Sequence, residues 1–68
     1  MVTVEIKTRA ATDEFPAIYT AEIVADPELE SLVGCYADGD TEEHAIAELV
    51  EDVLVMTGRD ISEHKVTT

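Results

Sequence analysis

Leu32-Val33-Gly34-Cys35-Tyr36-Ala37-Asp38-Gly39-Asp40-Thr41-Glu42-Glu43-His44-Ala45-Ile46 is where the chain changes from one periodicity to another. Residues 32–37 are apolar and aromatic and read as a strand, with Gly34 marking a bulge or a close backbone approach. Asp38-Gly39-Asp40-Thr41 is turn chemistry: Gly39 tolerates a positive φ, and Asp40 or Thr41 can cap a helix. Glu42 and Glu43 then put negative charge against the positive end of that helix. With Asp40 as cap, Glu43 has the spacing of a capping box. Ile46, Leu49, Val50, Val53 and Leu54 recur at three- and four-residue steps, with Ala45 and Met56 beside them. That period predicts a helix over residues 41–57, laying one apolar face on a sheet, and Gly58 stops it.

Upstream the period is two. Val2, Val4 and Ile6 alternate with Thr3, Glu5 and Lys7, which predicts a half-buried strand reaching about Arg9. Residues 10–14 are polar enough for a turn. Residues 16–25 predict a second strand, with Ala17, Tyr19, Ala21 and Ile23 on one face and Ile18, Thr20, Glu22 and Val24 on the other. The short connection pairs it with the first as a hairpin. Residues 26–31 read as a turn built on Pro27, with room for a single helical turn. Residues 60–67 alternate weakly and form either a short edge strand or a tail. The order β-β-β-α-β is α+β: an antiparallel sheet of three to four strands with one amphipathic helix on one face. The first two strands carry apolar residues on both faces, so uncovered apolar surface is expected, a natural place for a second chain.

Length sets the scale. Sixty-eight residues, 1–68, make one small domain, and a chain this short buries only about 60% of the surface it exposes when unfolded. Small folds usually add a staple or a partner. Cys35 is the sole cysteine, so an intramolecular disulfide is excluded; with His44 and His64 it makes a poor zinc set. Cys35 reads as a small core hydrophobe, having no basic neighbour to lower its pKa. Self-association is the remaining source of extra stability, and a homo-oligomer is expected. No apolar run is long enough for a membrane helix, and the N-terminal alternation is not a signal peptide. Both observations favour the cytoplasm.

The charge is lopsided. Sixteen Asp and Glu face four Lys and Arg, for a formal net charge of -12, yet 46% of the residues are hydrophobic. That is a folded acidic domain, not a disordered acidic tail. It should repel nucleic acid and anionic lipid, because both contacts depend on Lys and Arg neutralising phosphates. The acidity is either an adaptation for solubility in a salt-rich cytoplasm or a surface complementary to a basic partner, and the two are compatible.

Catalytic and metal constellations do not emerge. Residues 38–43 cluster four carboxylates, but a calcium loop needs Gly at its sixth position and Glu at its twelfth, where Glu43 and Leu49 stand. His44 and His64 have no nucleophile at a fixed spacing. Ser31 and Ser62 lie in no nucleophile-elbow context, and no glycine-rich phosphate loop is present. An enzyme is not expected, and neither is a cofactor or a metal. The outer face of the helix is more informative. Glu48 and Asp52 stand at i, i+4, and Glu48 and Glu51 at i, i+3; no Lys or Arg lies between Arg9 and Arg59 to relieve them. With Glu43 they form the candidate partner-binding set, alongside the sheet edge; the plainer reading is a solvated face.

Tyr19-Thr20-Ala21-Glu22-Ile23, followed by Gly34-Cys35-Tyr36-Ala37-Asp38-Gly39-Asp40-Thr41-Glu42-Glu43-His44-Ala45-Ile46, resembles HicB-like antitoxins. Gly34, Cys35, Gly39, Asp40, Thr41 and Ala45 match that family's G-C-x-x-x-G-D-T segment and its acidic helix in order and spacing, over roughly residues 2–58. Val33 stands where the family usually has Pro, and His44 where it usually has Glu. The resemblance implies a partial RNase H-like fold without nuclease function. It also implies a self-associating protein that neutralises a small basic ribonuclease toxin of the HicA type. Many members add a C-terminal DNA-binding domain, which these residues do not contain. Two alternatives stand beside this expectation: an acidic mimic of nucleic acid that inhibits a nucleic-acid-binding protein, and a salt-adapted oligomer with no toxin partner.

Thermal stability of the isolated protein is expected to rise between roughly 10 mM and 1 M sodium chloride, as screening removes self-repulsion. A flat response removes repulsion as a significant contribution.

Overall fold

The computed structural model describes residues 1–28 and 30–67. Five main elements follow in order, β1 (Val2–Arg9), β2 (Ile18–Ala25), β3 (Tyr36–Gly39), α1 (Glu42–Thr57) and β4 (His64–Thr67), with one 3-10 turn at Glu30–Leu32 before β3. The architecture is α+β: one four-stranded sheet in the order β3-β2-β1-β4, and one helix.

Alternation decides which side of the sheet is core. Val2, Val4 and Ile6 of β1, Ala21 and Ile23 of β2 and Ala37 of β3 are all buried, and Leu49, Val53 and Ala45 of α1 close over them. The antiparallel register sets Val4 against Ile23 and Ile6 against Ala21, so the apolar residues of the two long strands share one face. The opposite face is largely polar. Glu5 stands opposite Glu22, and Lys7 bridges them, reaching Glu22 at 3.0 Å and Glu5 at 3.8 Å. The expected apolar second face is thus confined to a few side chains, among them Val24 and Tyr36, both exposed.

The third strand is shifted from its expected place. Residues 32–37 were expected to be extended, but Leu32 ends a 3-10 turn and Gly34 turns the chain with φ 99°, so pairing with β2 begins at Tyr36. Leu32 is buried all the same, plugging the core from a turn and not from a strand. Of the expected turn over residues 26–31, Leu29 lies outside the described residues, as does Thr68 at the other end.

Gly39 also plays a different part from the one expected. Its φ is not positive; a Cβ on it would lie 2.4 Å from the amide nitrogen of Ala45 and 2.8 Å from the carbonyl carbon of His44. It is glycine because the end of β3 runs directly under the first turn of α1. Thr41, not Asp40, is the N-cap, accepting the His44 N–H on Oγ1 at 3.0 Å. With Thr41 as cap, position N3 falls on His44 and not on Glu43, and its Nδ1 reaches past the cap to accept the Asp40 N–H at 3.3 Å. Gly58 ends the helix in the left-handed conformation, donating its N–H to the Leu54 carbonyl at 2.8 Å.

After α1 the chain returns to the far side of the sheet. β4 pairs with β1 in parallel, with Val66 beside Val4, so the sheet is mixed and not wholly antiparallel. A helix between strands on the same sheet is the connection that permits a parallel neighbour. Residues 60–63 stay outside the strand, although Ile61 is buried among the core side chains.

Gly39→Ala is expected to cost about 3 kcal/mol, the upper end for overpacking, because backbone atoms and not a flexible side chain must yield. Gly34→Ala meets open space and carries only the strain of its φ, about 1–2 kcal/mol. Chemical denaturation of the two variants checks the ranking; equal losses would mean the β3–α1 approach is not tight.

Candidate partner-binding surface

α1 carries no Lys or Arg. Its 3.6-residue turn puts half-buried Glu48 and exposed Glu51 and Asp52 within a sector of roughly 100°, on one side. Glu43 is exposed as well, but it lies in the first turn, roughly 130° around from the middle of that sector. The structure therefore brings three of the four candidate carboxylates together and leaves Glu43 apart.

The ridge His44–Glu48–Asp52–Met56 runs along β3. At one end His44 meets Asp40, the residue after β3. At the other, Asp52 and Met56 line a shallow cleft of about 420 Å³ with Val33, Gly34, Cys35 and Tyr36. Cys35 is half-buried and packed against the core, as its small apolar character suggests. Within the ridge, His44 Nε2 stands 3.4 Å from a Glu48 carboxylate oxygen, one turn on. Val33, Tyr36 and Met56 are exposed around the cleft, with Tyr36 65% accessible. Acidic and apolar side chains thus occupy one continuous strip.

The cations are elsewhere. Lys7 is held between Glu22 and Glu5 on the outer face of the sheet. That hydrogen bond to Glu22, and the charges of Glu22 and Glu5, raise its pKa above the ordinary lysine value. Arg9 and Lys65 belong to β1 and β4, not to α1 or β3. Arg59, just past the helix, grips Asp26 through both of its terminal nitrogens, one contact measuring 3.0 Å, and reaches Glu28 at 3.2 Å. The Asp26 side chain is fully buried there, and its hydrogen bond raises the Arg59 pKa beyond an already basic value. This clamp ties the end of β2 to the exit of α1. Sequence reading missed it; the one signal was an arginine directly after a helix-stopping glycine in a chain short of cations. Asp60 follows, its pKa lowered by the backbone N–H of Ser62, which it accepts at 2.8 Å.

Among the described residues, no group of three or more His, Cys, Asp or Glu is placed to hold a metal ion. Among the same residues, no helix is long and apolar enough to cross a membrane. Asp38 and Asp40 line a second small cleft with Ile18, Gly39 and His44, and Asp38 accepts a 2.6 Å hydrogen bond from the Thr20 hydroxyl. Comparison with known proteins finds no matching family model, no matching curated protein and no matching solved structure.

The Lys7 cluster gives a pH test. Its folded pKa lies above the unfolded value, so its stabilisation is fully present below the ordinary lysine pKa of 10.5 and is lost as pH rises through the folded value. Lys7→Met is expected to melt below the parent at pH 7, leaving Glu5 and Glu22 face to face, and the gap should narrow as pH rises beyond 10.5. A gap unchanged by alkali would mean that packing of the lysine stem, and not its charge, matters.

Proposed function

We propose that this protein is a HicB-like antitoxin or an orphan relative of that family, binding and neutralising a small basic ribonuclease of the HicA type by protein–protein contact. The observation that carries the reading is the segregation of charge. α1 presents Glu48, Glu51 and Asp52 beside exposed apolar side chains, while all four Lys and Arg lie off that helix. An acidic surface with an apolar centre fits a basic protein, whose approach it accelerates and whose nucleic-acid-binding side chains it occupies. The β-β-β-α-β order and the Gly34–Ala45 segment at the β3–α1 junction are compatible with the partial RNase H-like fold that the resemblance implies. In this reading the carboxylates do no chemistry. They supply steering and specificity, the apolar cleft supplies affinity, and the protein acts in the cytoplasm without a cofactor.

The test is inhibition of RNA cleavage. A HicA-type ribonuclease encoded beside this chain is expected to lose activity when the protein is added at a one-to-one ratio. The Glu48→Lys, Glu51→Lys and Asp52→Lys triple variant is expected to weaken that inhibition by about 100-fold at physiological salt, as three attractive contacts become repulsive. Cleavage that continues unchanged under excess protein refutes the proposal.

A further inference from the structure

The free edge of β3 lies beside the acidic ridge of α1. β3 stands at the end of the sheet with β2 as its hydrogen-bonded neighbour. Ile23 donates its N–H to the Cys35 carbonyl at 2.8 Å, and Ala37 and Gly39 continue that phase opposite Ala21 and Tyr19. Alternation along an antiparallel ladder therefore turns the backbone N–H and C=O of Tyr36 and Asp38 away from β2, toward the open edge. Both residues are exposed. The ridge Glu48–Asp52–Met56 borders the same side, because Asp52 and Met56 share a cleft with residues 33–36.

We propose that this edge is a strand-addition site for an extended basic segment of a partner, in which Lys or Arg alternates with aliphatic residues. The added strand completes the backbone pairing of Tyr36 and Asp38. Its side chains on the helix side meet Glu48 and Asp52, and one aliphatic side chain fills the cleft between Met56 and Val33. Its side chains on the other side meet Asp38 and the Tyr36 ring. Charge selects this occupant over a second copy of the chain: two acidic edges and two acidic ridges would face each other, and like charges set directly opposite are destabilising. The proposal deepens the capture of a basic protein by naming the element that is captured, and it rests on that reading only for the partner's identity.

The probe is a peptide of about ten residues alternating lysine and valine, with an equally charged analogue in which two valines are replaced by proline. Binding to the intact protein at physiological salt is followed by backbone amide shifts and hydrogen exchange. The Tyr36 and Asp38 amides are expected to slow at least about tenfold in exchange, and the proline analogue, which cannot pair, to bind at least about tenfold more weakly. A Glu48→Lys and Asp52→Lys double variant is expected to lose the lysine peptide and to accept its glutamate counterpart, whose docking also shows that the variant is folded. Equal binding of the proline analogue, or protection confined to β4, overturns the proposal. Inhibition of the ribonuclease without peptide docking overturns the edge alone; docking without inhibition overturns the antitoxin reading alone.

Discussion

The close passage of β3 under α1 is the contact on which the rest of the molecule depends. At Gly39 there is no room for a Cβ, because the backbone of Ala45 occupies that space. The passage fixes the start of the helix over the end strand of the sheet, and the Thr41 cap with its His44 partner sets the direction in which it leaves. With origin and direction fixed, the 3.6-residue period does the remainder: Ala45, Leu49 and Val53 point down into the core, and Glu48 and Asp52 overhang the β3 edge. A helix seated further across the sheet would bury different residues and would separate the acidic ridge from the edge.

Small size makes the placement of charge matter more. A domain of 68 residues has one thin core, and every carboxylate must find water, a cation or a backbone N–H. The four cations are not spread to neutralise the nearest acids. Lys7 relieves a cross-strand glutamate pair, and Arg59 secures a buried aspartate at the far end of β2. Both are structural placements, and each binds carboxylates that would otherwise repel or stand desolvated. The helix is left to manage its own charge. Thr41 and the first-turn glutamates suit its positive end, but Glu48, Glu51 and Asp52 repel one another, with His44 one turn from Glu48.

Periodicity made most of the fold legible. The alternation of Val2, Val4 and Ile6 and the three-four spacing of Ile46, Leu49, Val50 and Val53 each have one structural interpretation, and β1, β2 and α1 follow it closely. The third strand was misplaced because Leu32 and Cys35 are apolar for a different reason: they plug or border the core from a turn and the residue after it, and a turn has no period. Gly39 illustrates a second limit. A glycine is equally consistent with a positive φ and with a close approach, and only the position of Ala45 distinguishes them. At the candidate surface, helical spacing was enough to put Glu48, Glu51 and Asp52 on one side of α1. Glu43 lies apart from them in the first turn, and the Asp26–Arg59 clamp was missed because its partners are 33 residues apart.

An exposed sheet edge normally has to be defended against pairing with other chains, and proteins do so with short strands and charged residues. β3 has both, four residues with Asp38 among them, and the α1 ridge adds more negative charge beside it. That defence is selective in sign. It raises the cost of pairing with any acidic or neutral strand, including the same edge of another copy, while leaving a basic strand attracted. One arrangement of carboxylates can thus keep a strongly acidic protein from polymerising along β3 and hold the edge open for a partner of opposite charge.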